Sequence, residues 1–253
     1  MKVTFLGTGT SQGIPVIACT CEVCSSVDAR DNRLRCSVLL EYEGHSVVID
    51  TGPDFRQQML REKVTKLDAV VYTHEHKDHV AGLDDIRAFN FFQSRSMDLY
   101  LSKYVEYALK REFAYIFEDE KYPGIPRIDL HIISNSPFNI LGKEFIPIEV
   151  LHFKLPVFGY RIGDFCYVTD AKSIEKNELD KMRGARVIVL NALRRESHIS
   201  HFTLAEAVEV LTELNPERAY ITHLSHQMGL HDDVEKTLPD FIRIAYDGLT
   251  LEI

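Results

Sequence analysis

The chain has 253 residues, a formal net charge of −9, 45% apolar and 26% charged residues, an ordinary globular balance and a length that suits one large α/β domain spanning 1–253. The negative charge excludes a broad electrostatic footprint on nucleic acid or an anionic membrane, since both need a basic field, but a small anionic substrate stays open because bound cations invert local charge. No apolar run approaches 18 residues, which excludes a membrane-spanning helix, and no charged-then-apolar leader precedes the first strand pattern, so a cytoplasmic location is expected.

A first strand is expected over 2–6, followed by turn formers from Gly7 to Pro15. Residues 36–42 and 45–50 alternate in polarity, and Glu43-Gly44 between them predicts a hairpin. Asp50-Thr51-Gly52-Pro53 closes that hairpin and opens a helix, with Pro53 near its first position. A strand follows at 67–72, then helices at 83–91 and 102–117. Tyr122-Pro123-Gly124-Ile125-Pro126 breaks the pattern. Short strands are expected at 128–133, 144–150, 158–163 and 165–169. A helix (174–182), a strand (186–190), a helix (203–213), a strand (217–222), a short helix (232–238) and a last strand (249–252) complete the chain. The aromatics of the stretch 91–127 (Phe91, Phe92, Tyr104 and Tyr107 among them) read as core or as a cap over a site.

The densest chemistry lies where the apolar run Ala69-Val70-Val71-Tyr72 gives way to Thr73-His74-Glu75-His76-Lys77-Asp78-His79. Three histidines and an aspartate at the spacing H-x-H-x-D-H put four good ligands on one turn after a strand, and imidazole with carboxylate suits Zn, Mn or Fe(II). Three later strand patterns also end in a ligand-type residue: Val150-Leu151-His152, Val168-Thr169-Asp170 and Ile221-Thr222-His223. Asp50 is placed either to accept from the second nitrogen of a ligand imidazole, with Thr51 behind it, or to cap the helix that follows. The five cysteines are an odd number. Cys19, Cys21 and Cys24 are too close in sequence to pair well as disulfides and converge well on a metal, whereas Cys36 and Cys166 sit in strand patterns as small buried residues.

The H-x-H-x-D-H segment resembles the metallo-β-lactamase superfamily. The resemblance implies an α/β fold of four layers, αββα, in which two mixed β-sheets carry helices on both outer faces. It also implies two divalent metal ions, Zn or Mn with Fe as a further fit. His74, His76 and His152 would hold one ion, Asp78, His79 and His223 the other, and Asp170 would bridge them. Asp78 and His201 are the residues expected to bear catalysis directly.

Within the superfamily, Gly7-Thr8-Gly9-Thr10-Ser11-Gln12-Gly13-Ile14-Pro15 followed by Cys19-x-Cys21-x-x-Cys24 is similar to the branch that contains the phosphonate-pathway cyclic phosphodiesterase. That similarity implies a separate structural zinc on Cys19, Cys21, Cys24 and a histidine, either His226 or His231. It also implies that His201, ahead of Phe202-Thr203, protonates the leaving alcohol, with His198 as the alternative. The expected activity is hydrolysis of a small anionic phosphodiester, cyclic ones included, by water activated at the metals. Arg194 and Arg195 are candidates for clamping a phosphate. Nucleic acid and membrane are not expected partners, and a homodimer follows from the resemblance alone. The rival readings are a tRNA 3′-processing type of endonuclease, a lactonase or thioesterase, and a non-catalytic carrier.

Overall fold

A computed structural model describes residues 1–118 and 122–253. Period-two alternation divides each strand between two cores, and this is what builds the layers. In β1 (Lys2–Gly7), β2 (Ser37–Tyr42), β3 (His45–Ile49) and β4 (Ala69–Val71), the residues Val3, Phe5, Val38, Leu40, Val47, Ile49 and Val71 face one core, while Leu6, Leu39, Val48 and Val70 face another. With β5 (Met97–Leu101), β6 (Ile128–Ile132) and the C-terminal β15 (Thr250–Glu252), these strands form a seven-stranded sheet in the order β15-β1-β2-β3-β4-β5-β6. Its outer face packs on α1 (Phe55–Arg61), α3 (Arg87–Gln93) and α4 (Lys103–Glu112) through Phe55, Met59, Phe89, Val105 and Leu109.

The second sheet holds β7 (Phe138–Ile140), β8 (Lys143–His152), β9 (Leu155–Ile162), β10 (Phe165–Val168), β11 (Ser173–Ile174), β12 (Val187–Asn191), β13 (Arg218–Thr222) and β14 (Ile242–Ile244). Their order is β11-β8-β9-β10-β12-β13-β14, with β7 paired to β8. Phe165, Tyr167, Val187 and Val189 meet the first sheet, whereas Cys166, Ile188, Leu190 and Ile221 meet α6 (Lys176–Met182), α7 (Leu204–Leu214) and α8 (His231–Glu235). The result is the αββα sandwich. No helix among the described residues is long and apolar enough to cross a membrane.

Several expected elements change in detail. The helix expected at 102–117 breaks at Phe113, whose φ of −119° separates α4 from α5 (Ala114–Phe117). The strand β5 was hidden inside the aromatic-rich stretch, where Met97, Leu99 and Leu101 alternate with half-buried residues. The aromatics of that stretch divide: Tyr100, Phe113 and Phe117 pack against the cores, whereas Phe91, Phe92, Tyr104, Tyr107 and Tyr122 face solvent. Residues 119–121 of the stretch lie outside the described residues. The strands β8 and β9 run further than the sequence suggests, pairing as far as His152 with Leu155 and leaving a two-residue turn of Phe153 and Lys154.

Two parallel sets, β3-β4-β5-β6 and β10-β12-β13-β14, end at one edge of the sandwich. β8 points the same way, because it is antiparallel to β9 and β9 is antiparallel to β10. The glycine-rich segment after β1 joins the two sheets at this edge: Thr10 N donates to Leu224 O and Leu224 N donates to Thr8 O. Close approach explains Gly52, where a Cβ would lie 2.2 Å from the Asp78 carbonyl oxygen.

Candidate metal centre

At this edge the chain turns sharply off each strand. Asp50 after β3, Asp170 after β10 and His223 after β13 all have positive φ, at 66°, 60° and 59°. Left-handed backbone at a non-glycine residue carries strain that persists where the surroundings over-determine it, commonly at functional sites. The effect here is to aim Asp170 and His223 into one space and Asp50 at the back of His79. The loop after β4 supplies the others. Tyr72 O accepts from Tyr160 Oη at 2.6 Å and Thr73 O accepts from Phe158 N, so this loop is pinned to the second sheet. Asp78 and His79 follow on the first turn of α2 (Lys77–Val80).

One oxygen or nitrogen from each of Asp78, His79, Asp170 and His223 falls in a group whose members all lie within 4.8 Å of one another. His79 Nε2 is 3.4 Å from Asp78 Oδ2 and 3.3 Å from Asp170 Oδ2, and His223 Nε2 is 3.2 Å from Asp170 Oδ1. His74, His76 and His152 stand beside this group, with ring centroids 4.7 Å (His74–His76), 5.1 Å (His76–His152) and 5.9 Å (His74–His152) apart. His74 and His79 are adjacent at 4.2 Å, so the two sets share a wall. His76 is the most exposed of these histidines and stands at the solvent side.

Each imidazole is oriented from behind. Asp50, fully buried, takes His79 Nδ1 at 2.7 Å and both the amide and the hydroxyl of Thr73 at 2.8 Å. The Thr73 hydroxyl, having donated to Asp50, accepts from His74 Nδ1 at 3.0 Å. Ser200 O holds His152 Nδ1 at 2.8 Å. Asp50 is therefore the acceptor behind the histidines; the helix α1 is preceded by Asp54 instead. Such contacts fix the tautomer and leave Nε2 as the free donor. His74 Nε2 and His79 Nε2 are buried with no hydrogen-bond partner. Unmet buried polar atoms are costly, and a cation between the two sets is what would satisfy them. The residues present thus fit the binuclear metal site.

The electrostatics agree. Burial works against the ionised form of Asp170, but the His223 and His79 imidazoles outweigh it and hold the carboxyl well below the usual range. Burial, and then His79, push His74 well below an ordinary imidazole, which leaves it neutral.

His201 lies on this site as well, ahead of the Thr203 cap of α7, where the Thr203–Glu206 capping box fixes the helix start. Phe202 N donates to Ala171 O and Phe202 O accepts from Leu193 N, tying this segment to the Asp170 turn. The His201 ring is 4.5 Å from that of His152 and 4.9 Å from that of His223, and its Nδ1 is 3.9 Å from Asp170 Oδ1. Burial foremost, then the facing His223, pushes His201 down to about 3. His198 is set back, its Nδ1 occupied by Ser200. Arg194 is not aimed at the site: its guanidinium serves Gln227, Glu196 O and Ser197 O. Asn191 was not singled out in the sequence. It ends β12 fully buried and brackets Ala171 with both amide atoms, 2.7 Å to its N and 2.9 Å to its O, which positions Asp170. Its signal was the same as for Asp170, a polar residue closing an apolar strand.

The cysteine group is separate. Cys19, Cys21, Cys24 and His226 each bring one atom within 4.8 Å of the others. His226 Nδ1 is 3.3 Å from both Cys19 Sγ and Cys21 Sγ. His231, the other candidate, is turned away, with Nδ1 3.1 Å from Arg33 Nη2. The Cys24 amide draws Cys21 down to about 6, while burial pushes Cys24 up to about 11. Cys36 and Cys166 are buried, as expected.

Residues 45–224 match the family model described as the beta-lactamase superfamily domain. A crystal structure of "a New Diphosphatase from the PhnP Family" superposes with a TM-score of 0.94 at 40% identity, covering 100% of this chain and 97% of that one. Among curated proteins, an octanoyltransferase of Porphyromonas gingivalis is 37% identical over 252 residues; the chain is matched over 98% of its length but spans only 51% of that protein. Zn(2+)-bound PqqB from Methylobacterium extorquens shares the fold at 17% identity and a TM-score of 0.79, with both chains fully covered. The chain belongs to the metallo-β-lactamase superfamily, in its PhnP-like branch.

Proposed function

We propose that this chain is a dinuclear metal-dependent hydrolase that cleaves a small phosphate diester, with His201 giving a proton to the departing alcohol. The observation that carries the reading is His201 itself. It lies outside the seven residues assigned to the two ions, yet it is buried against them, with Nδ1 turned towards Asp170 and one ring nitrogen grouped within 4.8 Å of ligand atoms of His152 and Asp170. Thiolates and carboxylates leave without a proton, whereas an alkoxide leaves phosphorus poorly unless it is protonated, so the extra imidazole favours phosphorus chemistry. The diphosphatase similarity supports the same class and favours a second reading, a phosphoanhydride in place of the diester. The octanoyltransferase is twice the length of this chain, and its named activity is treated below as an outcome to be tested.

In this reading His74, His76 and His152 hold one ion, Asp78, His79 and His223 the other, and Asp170 lies between; Zn, Mn and Fe(II) all suit such a set. When bound, two ions of this kind lower the pKa of a shared water and offset charge on the phosphoryl oxygens. The chain's own part is positional. Asp50, Thr73 and the Ser200 carbonyl keep three imidazoles in the tautomer that presents Nε2. Burial and the facing His223 favour the neutral His201 ring, and a phosphate anion bound beside it would favour the protonated form that gives up the proton. Cys19, Cys21, Cys24 and His226 form a closed set with no open position, suited to a structural zinc. The reading places the protein in the cytoplasm with a small anionic substrate.

The test is turnover by the purified protein, restored with Mn or Zn, of bis(p-nitrophenyl) phosphate, a 2′,3′-cyclic nucleotide, an organic diphosphate, an octanoyl thioester and a lactone. Phosphorus substrates should exceed the acyl ones. His201→Ala should cost about 10²–10⁴-fold on the cyclic nucleotide, whose alcohol leaves poorly, and far less on the nitrophenyl ester. Thioester or lactone turnover above the phosphorus substrates would overturn the substrate class, and equal losses on both phosphate esters would overturn the proton role.

A further inference from the structure

Beside the candidate metal centre lies an open cavity of about 590 Å³, lined by His76 and His152 together with Phe153, Lys154, Leu155 and Ile199. A lone exposed apolar side chain is ordinary. Phe153 is not ordinary in three respects. It is 51% exposed although it directly follows a candidate metal ligand. Its φ is 58° in a two-residue hairpin, a place usually given to glycine, asparagine or aspartate. The turn cannot relax that conformation by slipping, because the ladder pairs His152 with Leu155 on either side of it. Backbone strain and exposed aromatic surface therefore coincide at the mouth of the site. Also in the lining is Ile199, 67% exposed, next to the Ser200 carbonyl that holds His152 and two residues before His201. The Lys154 ammonium is 5.4 Å from the Phe153 ring centroid, within cation–π range.

We propose that Phe153 and Ile199 are the specificity-determining walls of the substrate site and take a flat aromatic ring, such as a nucleobase, in the organic part of the phosphate ester. This deepens the hydrolase reading and rests on it for the position of the phosphate. A planar ring laid on Phe153 and against Ile199 covers both apolar surfaces, and a phosphate ester of a sugar alone leaves them in water. Lys154 braces the far face of the stack and adds a positive charge at the rim. Base-on-aromatic stacking tolerates many bases, so the selection is for a ring and not for one sequence of donors and acceptors.

Calorimetric binding of AMP and of ribose 5-phosphate to the metal-restored protein separates this proposal from the reaction class, because neither ligand has to be cleaved. The wild type should bind AMP about tenfold more tightly than ribose 5-phosphate. Phe153→Ala should abolish that preference, Phe153→Tyr should keep it, and Ile199→Ala should reduce it, all with unchanged metal content. On bis(p-nitrophenyl) phosphate, Phe153→Ala should raise KM about tenfold at constant kcat. Equal affinity for the two ligands in the wild type, or a preference that survives both alanine variants, overturns the proposal. So does a change of oligomeric state in Phe153→Ala, which would assign the ring to contact with a second copy. If Phe153→Ala fails to fold, Ile199→Ala decides. A protein that cleaves no phosphorus substrate but still prefers AMP refutes the phosphate-ester reading and leaves the ring subsite standing.

Discussion

The buried Asp/His group and the cysteine group differ in what holds their donor atoms in place. Around the first, strand ends and buried polar partners do the holding: Asp50 on His79, Thr73 on His74, the Ser200 carbonyl on His152 and Asn191 on the Asp170 turn. Three members of the second lie on a segment with no strand and no α-helix between β1 and β2, His226 joins them from just after β13, and all four side chains are only half-buried. Its near contacts are mostly among its own members, with the Val16 and Cys24 amides on sulfur. The far end of that segment is secured by Arg33, buried and bonded to Thr8, Ala245 O and His231. The difference teaches that the fold pre-forms one site, whereas at the other a cation would organise the loop. Metal binding is then folding energy at the cysteines and mostly chemistry at the strand ends.

The largest expected effect tests the loop side of that contrast. Cys21→Ser should remove about one equivalent of zinc and lower Tm by about 5–10 °C, and the segment 16–33 should become open to proteolysis. Activity should fall only modestly, because the pairing of Thr8 and Thr10 with Leu224 holds the His223 turn independently. Metal analysis with limited proteolysis reads the result, and an unchanged stoichiometry breaks the comparison. Next in size is Asp50→Asn. It keeps the shape but weakens the acceptor behind His79, so metal affinity or kcat/KM should fall about 10–100-fold. A variant that titrates metal and turns over like the wild type would show that the strand ends alone suffice.

Those ligands were legible in the sequence because each closes an apolar strand with a polar residue: Thr73-His74 after Val71-Tyr72, His152 after Val150-Leu151, Asp170 after Val168-Thr169 and His223 after Ile221-Thr222. The four layers were expected from the resemblance of the H-x-H-x-D-H segment, and the alternation read at 36–42 and 45–50 agrees with two of their strands. What supports the ligands was less so. The acceptor for His152 is a backbone carbonyl, which any residue at 200 supplies and which leaves no mark in the sequence. The strands β7, β11 and β14 are two or three residues long, too short for a period to show. The strand β5 was masked by aromatics on either side that turn out to face solvent, and solvent-facing rings such as Phe91 and Phe92 carry no helical signature to correct the reading. Phe153 escaped because its oddity lies in a backbone angle.

The smallest expected effect asks whether the frame under the buried group can loosen without losing the metals. Glu178 of α6 is 4% exposed; its carboxylate takes the Glu149 amide of β8 at 2.7 Å, Lys181 Nζ at 2.7 Å and Asn135 at 3.0 Å. Lys181 also donates to Pro147 O, so the pair ties α6 to the strand that ends in His152. Burial opposes the ionised form, but Lys181, Asn135 and the Glu149 amide outweigh it, and the carboxyl lies below the usual glutamate range. A depressed folded pKa stabilises the protein above the unfolded pKa of about 4.3, and that contribution is lost as pH falls through the folded value. Glu178→Gln should therefore cost about 2 kcal/mol at pH 7, the scale of a hydrogen bond to a charged group. The gap from the wild type should close as pH falls below about 4. Denaturant melts at pH 7 and at pH 3.5 measure it, with metal titration beside them. Full metal occupancy in the weakened variant would mean that the His152 end of β8 is held locally, by Ser200 and the ladder to β9. A loss of metal together with stability would mean that pre-organisation at the strand ends extends through the whole sheet and its helices.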